Sequence, residues 1–89
     1  MRAMSGRVIV TLYIRTGCHL CEAAKEAIRR GGEGFPYDLR EVDVDGDPGL
    51  QRSFGEEVPV VFIGDRKAFK FRFTAEEFRR KLERRLETV

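Results

Sequence analysis

The sequence predicts an α/β fold of order β-α-β-α-β-β-α, with a four-stranded mixed sheet flanked by helices. Short apolar, β-branched runs alternate with segments rich in Ala, Glu, Lys and Arg, which is the pattern of strands and helices in turn. The first strand-helix-strand unit implies a right-handed parallel crossover. A two-residue turn joins the last two strands, so these two are antiparallel and the sheet is mixed.

The first strand and the first helix are the clearest elements. Val8–Ile14 is an apolar run bounded by polar residues, which indicates a buried strand. Residues 23–30 contain no Pro or Gly and favour a helix. Gly31 and Gly32 end that helix. We expect residues 1–6 to form a loose leader before the first strand.

The second strand is predicted over residues 35–44. Tyr37 and Leu39 lie on one side of it, and Val42 and Val44 lie on the other. Because both sides carry apolar residues, such a strand can have helices over both faces.

The second helix is short and has clear end signals. Asp47 is placed to be its N-cap, with Pro48 at the first helical position. Leu50 and Phe54 are i, i+4 partners on one face, and Gly55 closes the helix.

A hairpin follows the second helix. Residues 58–63 are almost wholly apolar and predict a central strand, in which Pro59 is anomalous because it cannot donate a ladder hydrogen bond. Gly64 and Asp65 fit a two-residue turn. The partner strand is predicted from an alternation of aromatic with basic residues: Phe69, Lys70, Phe71, Arg72 and Phe73.

The last helix begins at a capping box formed by Thr74 and Glu77. Its apolar stripe consists of Phe78, Leu82 and Leu86. The helix also carries a basic set: Arg79, Arg80, Lys81, Arg84 and Arg85. Such a stripe can bind nucleic acid or an acidic partner, but cations also suit a helix C-terminus, and interspersed glutamates offset them here. We favour the second interpretation.

Length and composition limit the function. Eighty-nine residues predict one domain (residues 1–89, with a core of roughly 7–87). With 36% charged and 42% apolar residues, we expect a soluble globule, and the net charge of +2 argues against nucleic-acid binding. The longest apolar run is too short for a bilayer, and the N-terminus has no signal-peptide core. We therefore expect a cytoplasmic monomer with no membrane partner.

Two cysteines separated by two residues lie where the first strand passes into the first helix. The unpaired N–H groups and partial positive charge of a first helical turn stabilise a thiolate. Cys18 lies at or just before the helix start, so its sulfur is predicted to be the exposed, activated one. Cys21 lies one turn further on, on the side of Ala24 and Ile28, and is predicted to be shielded. One sulfur attacks and the other resolves, as in dithiol–disulfide exchange.

Metal chemistry is the alternative for such a cysteine pair. Haem attachment requires His directly after the second cysteine, and Glu22 stands there instead. A zinc site takes four ligands, whereas the motif offers Cys18, Cys21 and His19, with the histidine between the cysteines. We therefore predict no metal in one chain. Four cysteines pooled by two chains around zinc or an iron–sulfur cluster remain an alternative.

Element order, the helix-opening C-x-x-C and a Val-Pro pair resemble the thioredoxin superfamily in its small glutaredoxin form. The sequence resembles most a family of small glutaredoxin-like proteins whose motif is Cys-His-Leu-Cys followed by Glu or Asp and Ala. The resemblance covers roughly residues 8–86. Its matching positions are Tyr13, Gly17-Cys18-His19-Leu20-Cys21-Glu22-Ala23, Val42-Asp43-Val44-Asp45 and Val58-Pro59-Val60.

The resemblance implies a cis peptide bond at Pro59, next to the cysteines, and backbone pairing between Val58 and an extended substrate. It also places Tyr13, Thr16 and Gly17 in the active-site loop, and Leu20 within the motif. No cofactor is implied beyond the Cys18–Cys21 disulfide, with glutathione as a possible co-substrate.

Two further side chains can support the thiolate. The His19 imidazole can carry a proton near neutral pH and stabilise the thiolate, or it can be an exposed loop residue without influence. Arg15 can attract the thiolate or an anionic substrate, although exposed arginines usually do neither measurably.

The sequence therefore predicts a thiol–disulfide oxidoreductase that reduces protein or small-molecule disulfides, with glutathione or a reductase as electron donor. Glutaredoxins carry a Gly-Gly pair and an Asp after the last strand; residues 71–75 contain no such pair. A glutathione-dependent glutaredoxin, and a non-catalytic or cluster-binding module of this fold, are the alternatives.

Overall fold

Four strands and three helices follow one another in the predicted order. The computed structural model describes residues 7–87, so the predicted leader lies outside the described residues. The elements are β1 (Val8–Ile14), α1 (His19–Gly31), β2 (Tyr37–Asp43), a 3-10 turn (Val44–Gly46), α2 (Pro48–Phe54), β3 (Val60–Ile63), β4 (Arg66–Lys70) and α3 (Ala75–Glu87). The predicted α/β fold with a four-stranded mixed sheet is confirmed.

The sheet has the strand order β2-β1-β3-β4. β1 and β2 are parallel, whereas β3 is antiparallel to both of its neighbours. Tyr13, next to the end of β1, pairs with Val60, the first residue of β3. The loop that follows β1 and the segment that precedes β3 therefore lie at the same end of these two strands.

Helices α1 and α3 lie on one face of the sheet and enclose the core. The fully buried side chains of this core include Val10, Leu12, Ile28, Val61, Phe78 and Leu82. On the other face, the ring of Phe54 in α2 packs 4.8 Å from that of Tyr13 and 5.8 Å from that of Phe62, centroid to centroid. The sheet is therefore covered on both faces near the end of β1, which fixes the start of the loop that follows.

Both predicted helix caps are confirmed. Asp47 accepts hydrogen bonds from the backbone N–H groups of Gly49 at 2.7 Å and Leu50 at 3.2 Å. Thr74 and Glu77 form a reciprocal capping box at 2.9 and 3.0 Å. Each cap satisfies N–H groups that a helix start leaves unpaired.

Helices do not cover both faces of β2, although its apolar pattern permits that arrangement. β2 is an edge strand, and its only strand neighbour among the described residues is β1. Most of its residues are exposed, Leu39 by 38%. Val44, predicted to lie on this strand, is instead buried in the 3-10 turn that follows it. The short α2 docks near the sheet centre and does not extend over this edge.

The predicted extent of the last two strands is also corrected. β3 begins at Val60, so Pro59 precedes the ladder and its missing N–H costs no pairing there. β4 ends at Lys70, although the aromatic alternation continues to Phe73. Phe71 has a left-handed φ of +68°, which breaks the strand. Beyond the break, the Phe73 ring stacks on that of Phe69 with centroids 4.6 Å apart.

The first helix begins at His19, directly after Cys18, which agrees with the prediction that Cys18 lies at or just before the helix start. Across residues 7–87, none of the helices combines the length and the apolar character needed to cross a bilayer.

Candidate active site

A turn of four residues, 15–18, carries the chain from β1 to α1. Gly17 has a φ of +80°, a conformation that glycine adopts without a steric penalty. Cys18 follows with an extended backbone (φ −91°, ψ 111°) as the N-cap of α1. The turn thus sets the Cys18 sulfur at the mouth of the helix.

The Cys18 sulfur takes the place that a serine or aspartate oxygen occupies in an ordinary N-cap. Its Sγ accepts a hydrogen bond from the backbone N–H of Cys21 at 3.2 Å. That N–H belongs to the first helical turn, where such groups lack partners in the helix. Cys18 is half-buried, and both cysteines are free thiols. A negative charge on this sulfur is therefore stabilised by an N–H donor and by the helix dipole.

Cys21 lies on the inner face of α1, with 1% of its surface exposed. Burial, and next the hydrogen bond with Cys18, raise the pKa of the Cys21 thiol to about 11, while a hydrogen bond from the backbone of Arg15 acts in the opposite direction. Cys21 is consequently a neutral thiol near pH 7. The two sulfurs therefore differ in exposure and in the environment they offer a thiolate, as the sequence predicts.

The two residues between the cysteines, His19 and Leu20, differ in their environment. His19 is exposed at the first helical position. Leu20 is half-buried and lines a cleft of about 330 Å³ between the start of α1 and the segment that joins β4 to α3. The other lining residues are Ala23, Ala24, Phe71, Arg72, Phe73, Thr74 and Glu77.

The segment before β3 lies at the same end of the sheet as the cysteine motif. The Val58–Pro59 peptide bond is cis, as the resemblance implies. Pro59 is fully buried and Val58 is half-buried. The Pro59 carbonyl accepts a hydrogen bond from the backbone N–H of Phe71 at 2.9 Å. This bond ties the proline to the rim of the cleft.

Two predicted site residues, Tyr13 and Arg15, make their contacts with α2 and the residues next to it. The Tyr13 ring packs against Phe54 and Phe62. The Arg15 guanidinium binds the Asp45 carboxylate at 2.9 and 3.2 Å and the Gly55 carbonyl at 3.1 Å.

These contacts give both residues a part in the packing of α2. The Arg15 guanidinium holds the pKa of the Asp45 carboxyl below its usual value. Neither contact involves the Cys18 sulfur, so the expected attraction between Arg15 and the thiolate has no counterpart in these hydrogen bonds. Thr16 is exposed in the turn between β1 and Cys18.

Phe71, Arg72 and Phe73 all line the cleft, but the sequence pattern assigns them to a strand that in the structure ends at Lys70. The period-two alternation of aromatic residues runs unbroken through them. The only signal for a break was the comparison with glutaredoxins, which have small residues at this point of the chain.

The described residues contain no cluster of three or more His, Cys, Asp or Glu side chains placed to hold a metal ion. The motif supplies two sulfur ligands from one chain. Pooling of cysteines by two chains around a metal stays the alternative to this prediction.

Comparison with known proteins agrees with this geometry. Residues 9–83 match the family model described as Glutaredoxin-like domain (DUF836). The chain belongs to this family and is a glutaredoxin-like member of the thioredoxin superfamily. The match includes both cysteines and the Val58–Pro59 pair.

Sequence relatives are uncharacterized proteins of Mycobacterium bovis and Mycobacterium tuberculosis, which are 33% identical to this chain over 63 residues. The match covers 65% of this chain and 65% of each relative. The chain thus spans just under two thirds of the length of these relatives.

Solved structures extend the comparison. The X-ray structure of the structural-genomics target XcR50 from X. campestris is 32% identical, with a TM-score of 0.74 over 84% of this chain and 96% of that chain. Thioredoxin 1 from Thermosipho africanus is 24% identical, with a TM-score of 0.66 over 90% and 96%. The second likeness supports the thioredoxin fold alone.

Proposed function

We propose that the protein is a thiol–disulfide oxidoreductase in which Cys18 is the nucleophile and Cys21 the resolving cysteine. The observation that carries this proposal is the position of the Cys18 sulfur. It is the N-cap of α1 and accepts the backbone N–H of Cys21 at 3.2 Å. A sulfur so placed is stabilised as the thiolate, which is the nucleophilic form.

The first step forms a mixed disulfide. The Cys18 thiolate attacks one sulfur of a substrate disulfide, a Cys18–substrate S–S bond forms, and the substrate's own S–S bond breaks. The departing half leaves as a thiolate and takes a proton from water. The backbone of Val58, before the cis proline, is proposed to pair with the substrate chain, as the family resemblance implies.

The second step releases the other half of the substrate. Cys21 loses its proton and its sulfur attacks Cys18, so that the Cys18–Cys21 bond forms and the second substrate thiolate leaves. Two electrons pass from the dithiol to the substrate. No Asp, Glu or His among residues 7–87 is buried, so no buried base accompanies Cys21. Its proton is proposed to pass to solvent or to the leaving thiolate.

Turnover requires a reductant of the thiol class to restore the dithiol. Glutathione or a protein reductase would fill this role, and protein or small-molecule disulfides would be the substrates. The Cys18–Cys21 disulfide is the only redox group that the proposal invokes.

The test compares cysteine variants on a protein disulfide and on a glutathionylated small disulfide, with glutathione and its reductase as one electron source. We expect Cys18→Ser to abolish turnover, and Cys21→Ser to accumulate a mixed disulfide detectable by mass. Ser is the matched substitution because its hydroxyl retains a cap at position 18. Normal turnover by Cys18→Ser would overturn the proposal.

The same assay separates the two kinds of donor. Glutathione-dependent turnover that survives Cys21→Ser would indicate a glutaredoxin, which can work with one cysteine. Turnover of the protein disulfide alone, with both cysteines required, would indicate a thioredoxin-like dithiol reductase.

A further inference from the structure

Phe71 combines three features that packing does not explain. Its φ of +68° lies in the left-handed region, which strains a bulky side chain and suits glycine. Its side chain is among the three exposed large apolar residues that the structure describes, at 43%. Its aromatic neighbours along the chain, Phe69 and Phe73, stack on each other and pack against the core. Phe71 takes no part in that stack.

The backbone of Phe71 is held in this conformation by the site itself. Its N–H donates to the carbonyl of the cis proline, Pro59, at 2.9 Å. The Lys70 ammonium lies over the Phe71 ring, 5.5 Å from the ring centroid. A strained conformation that surrounding contacts maintain at a candidate site is a sign of functional use.

Phe71 and Leu20 line the same cleft. Leu20 lies between the two cysteines in sequence, and the backbone N–H of Phe71 donates to the Pro59 carbonyl, so two lining residues adjoin the proposed reaction site. Ala23, Ala24 and Phe73 contribute further apolar surface, whereas Arg72 and Glu77 are exposed polar residues of the lining. The volume of about 330 Å³ is sufficient for a large side chain and the backbone next to it.

We propose that Phe71, with Leu20, selects the substrate by binding a large apolar side chain adjacent to the substrate cysteine. The inference rests on the proposed function and names its substrate class: polypeptide disulfides whose cysteine has an apolar neighbour. An aromatic side chain provides a large contact area with little loss of conformational freedom on binding, because it has only two side-chain torsions. The strained φ keeps the ring at the rim, where an incoming polypeptide meets it.

The test measures this contact without requiring turnover. In Cys21→Ser protein, Cys18 forms a mixed disulfide with a short peptide that holds Ser beside its single Cys. A second peptide, identical except for Leu at that position, is added as its free thiol. The exchange breaks one Cys18–peptide S–S bond, forms another and releases the first peptide as a thiol. The equilibrium ratio of the two adducts, read by mass, reports the preference for Leu.

We expect a preference of about fivefold to tenfold for the Leu peptide, the scale of partial burial of one large apolar side chain. Phe71→Gly in the Cys21→Ser background is expected to bring the ratio close to unity. Leu39→Ala is the matched control, because Leu39 is 38% exposed on the edge strand and lines no part of this cleft. It should leave the ratio unchanged.

Phe71→Asn serves as a second variant, since Asn also tolerates a left-handed φ and lacks the ring. It should lose the preference as Phe71→Gly does, with both variants folded by circular dichroism. A ratio near unity with Phe71 present, or a preference that survives both substitutions, would overturn the inference.

The two proposals fail separately. Disulfide turnover with no preference for Leu leaves the proposed function intact and removes this one. A Leu preference that depends on Phe71, in a protein without disulfide turnover, removes the proposed function and leaves the cleft as a peptide-binding site.

Discussion

The backbone N–H of Cys21 donates a hydrogen bond to the Sγ of Cys18 at 3.2 Å, so one cysteine caps the helix turn that buries the other. Cys18 sits before the helix, and Cys21 sits three residues later on its core-facing side. The difference between the two sulfurs is therefore a consequence of helix geometry. A substitution at Cys18 alters the cap as well as the chemistry, which is why Ser and not Ala is the informative replacement there.

The resolving step is expected to accelerate with pH. The pKa of the Cys21 thiol is raised to about 11, first by burial. While the pH lies well below that pKa, the fraction of Cys21 thiolate, and with it the rate of release of the second substrate thiol, should rise about tenfold per pH unit. In Cys21→Ser protein, rapid mixing measures the rate at which the mixed disulfide forms. In the wild-type protein, the same experiment measures both this rate and the rate of the resolving step.

A resolving rate that levels off above about pH 8.5 would contradict this expectation, because an ordinary thiol is then largely ionised. A rate that stays constant from about pH 6 to about pH 9 would require a pKa below about 6. In the mixed disulfide, Cys18 carries no charge to oppose the Cys21 thiolate. Burial of Cys21 is then the main remaining cause of its raised pKa.

The same shift predicts a loss of stability at alkaline pH. The pKa of Cys21 is raised from 9.0 to about 11 in the folded protein. Below the unfolded value both states hold the proton, so the stability contribution is complete. Between the two values the unfolded chain releases its proton first, and the free energy of unfolding falls by up to roughly 1.4 kcal/mol per pH unit.

Urea unfolding under reducing conditions, from about pH 8 to about pH 11, measures this loss. Cys21→Ala protein is the control, since lysines and tyrosines titrate in both proteins and cancel in the difference. Equal pH dependence in the two proteins would show that Cys21 titrates normally.

The cysteine site and the caps could be predicted from the sequence because their signals are local. The N-cap sulfur and the capping box of Thr74 and Glu77 involve contacts within three residues. The end of β4 could not be predicted, because the alternation of aromatics continues past it. The hydrogen bond from Phe71 to Pro59 that marks this end joins residues twelve positions apart.

The place of Arg15 was beyond sequence reasoning for the same reason. Its partner, Asp45, is thirty residues away, and only the parallel pairing of β1 with β2 brings the two together. Ile14 and Asp43 are register partners at the ends of these strands, so the residues just after them meet. No local pattern contains this information.

Arg15→Ala is expected to affect stability and not thiol reactivity. The substitution removes the bonds to Asp45 and to the Gly55 carbonyl, which tie the loop after β1 to α2. Because these groups are largely exposed, solvent screens the pair and we expect only a small loss of stability, measured by urea unfolding. The rate of Cys18 alkylation by iodoacetamide should change less than about twofold, since the guanidinium binds Asp45 and the Gly55 carbonyl and not the sulfur.

Arg40→Ala, at an exposed position of β2, is the control for removal of a positive charge. If Arg15→Ala slows alkylation tenfold or more while the control does not, Arg15 supports the thiolate directly, which is one of the two roles that the sequence left open.

The contact between α1 and α3 gives the sharpest stability prediction. A Cβ added at Gly31, the last residue of α1, would lie 2.2 Å from the carbonyl oxygen of Ala75 and 3.2 Å from Cδ2 of Phe78. The carbonyl belongs to the first residue of α3, so the clash cannot be relieved by rotating a side chain. Gly31→Ala should destabilise the fold by about 1–3 kcal/mol, although Ala is the better helix former by about 1 kcal/mol.

Gly46→Ala is the control, because an added Cβ there meets no atom within 4 Å. Urea unfolding of the two variants separates the clash from the general effect of replacing glycine. Gly31→Ala should also displace the start of α3, where Thr74 and Glu77 line the cleft. We therefore expect it to weaken the preference for the Leu peptide while the rate of Cys18 alkylation stays the same. Unchanged stability of Gly31→Ala would mean that the two helices can separate at this point without loss of core packing.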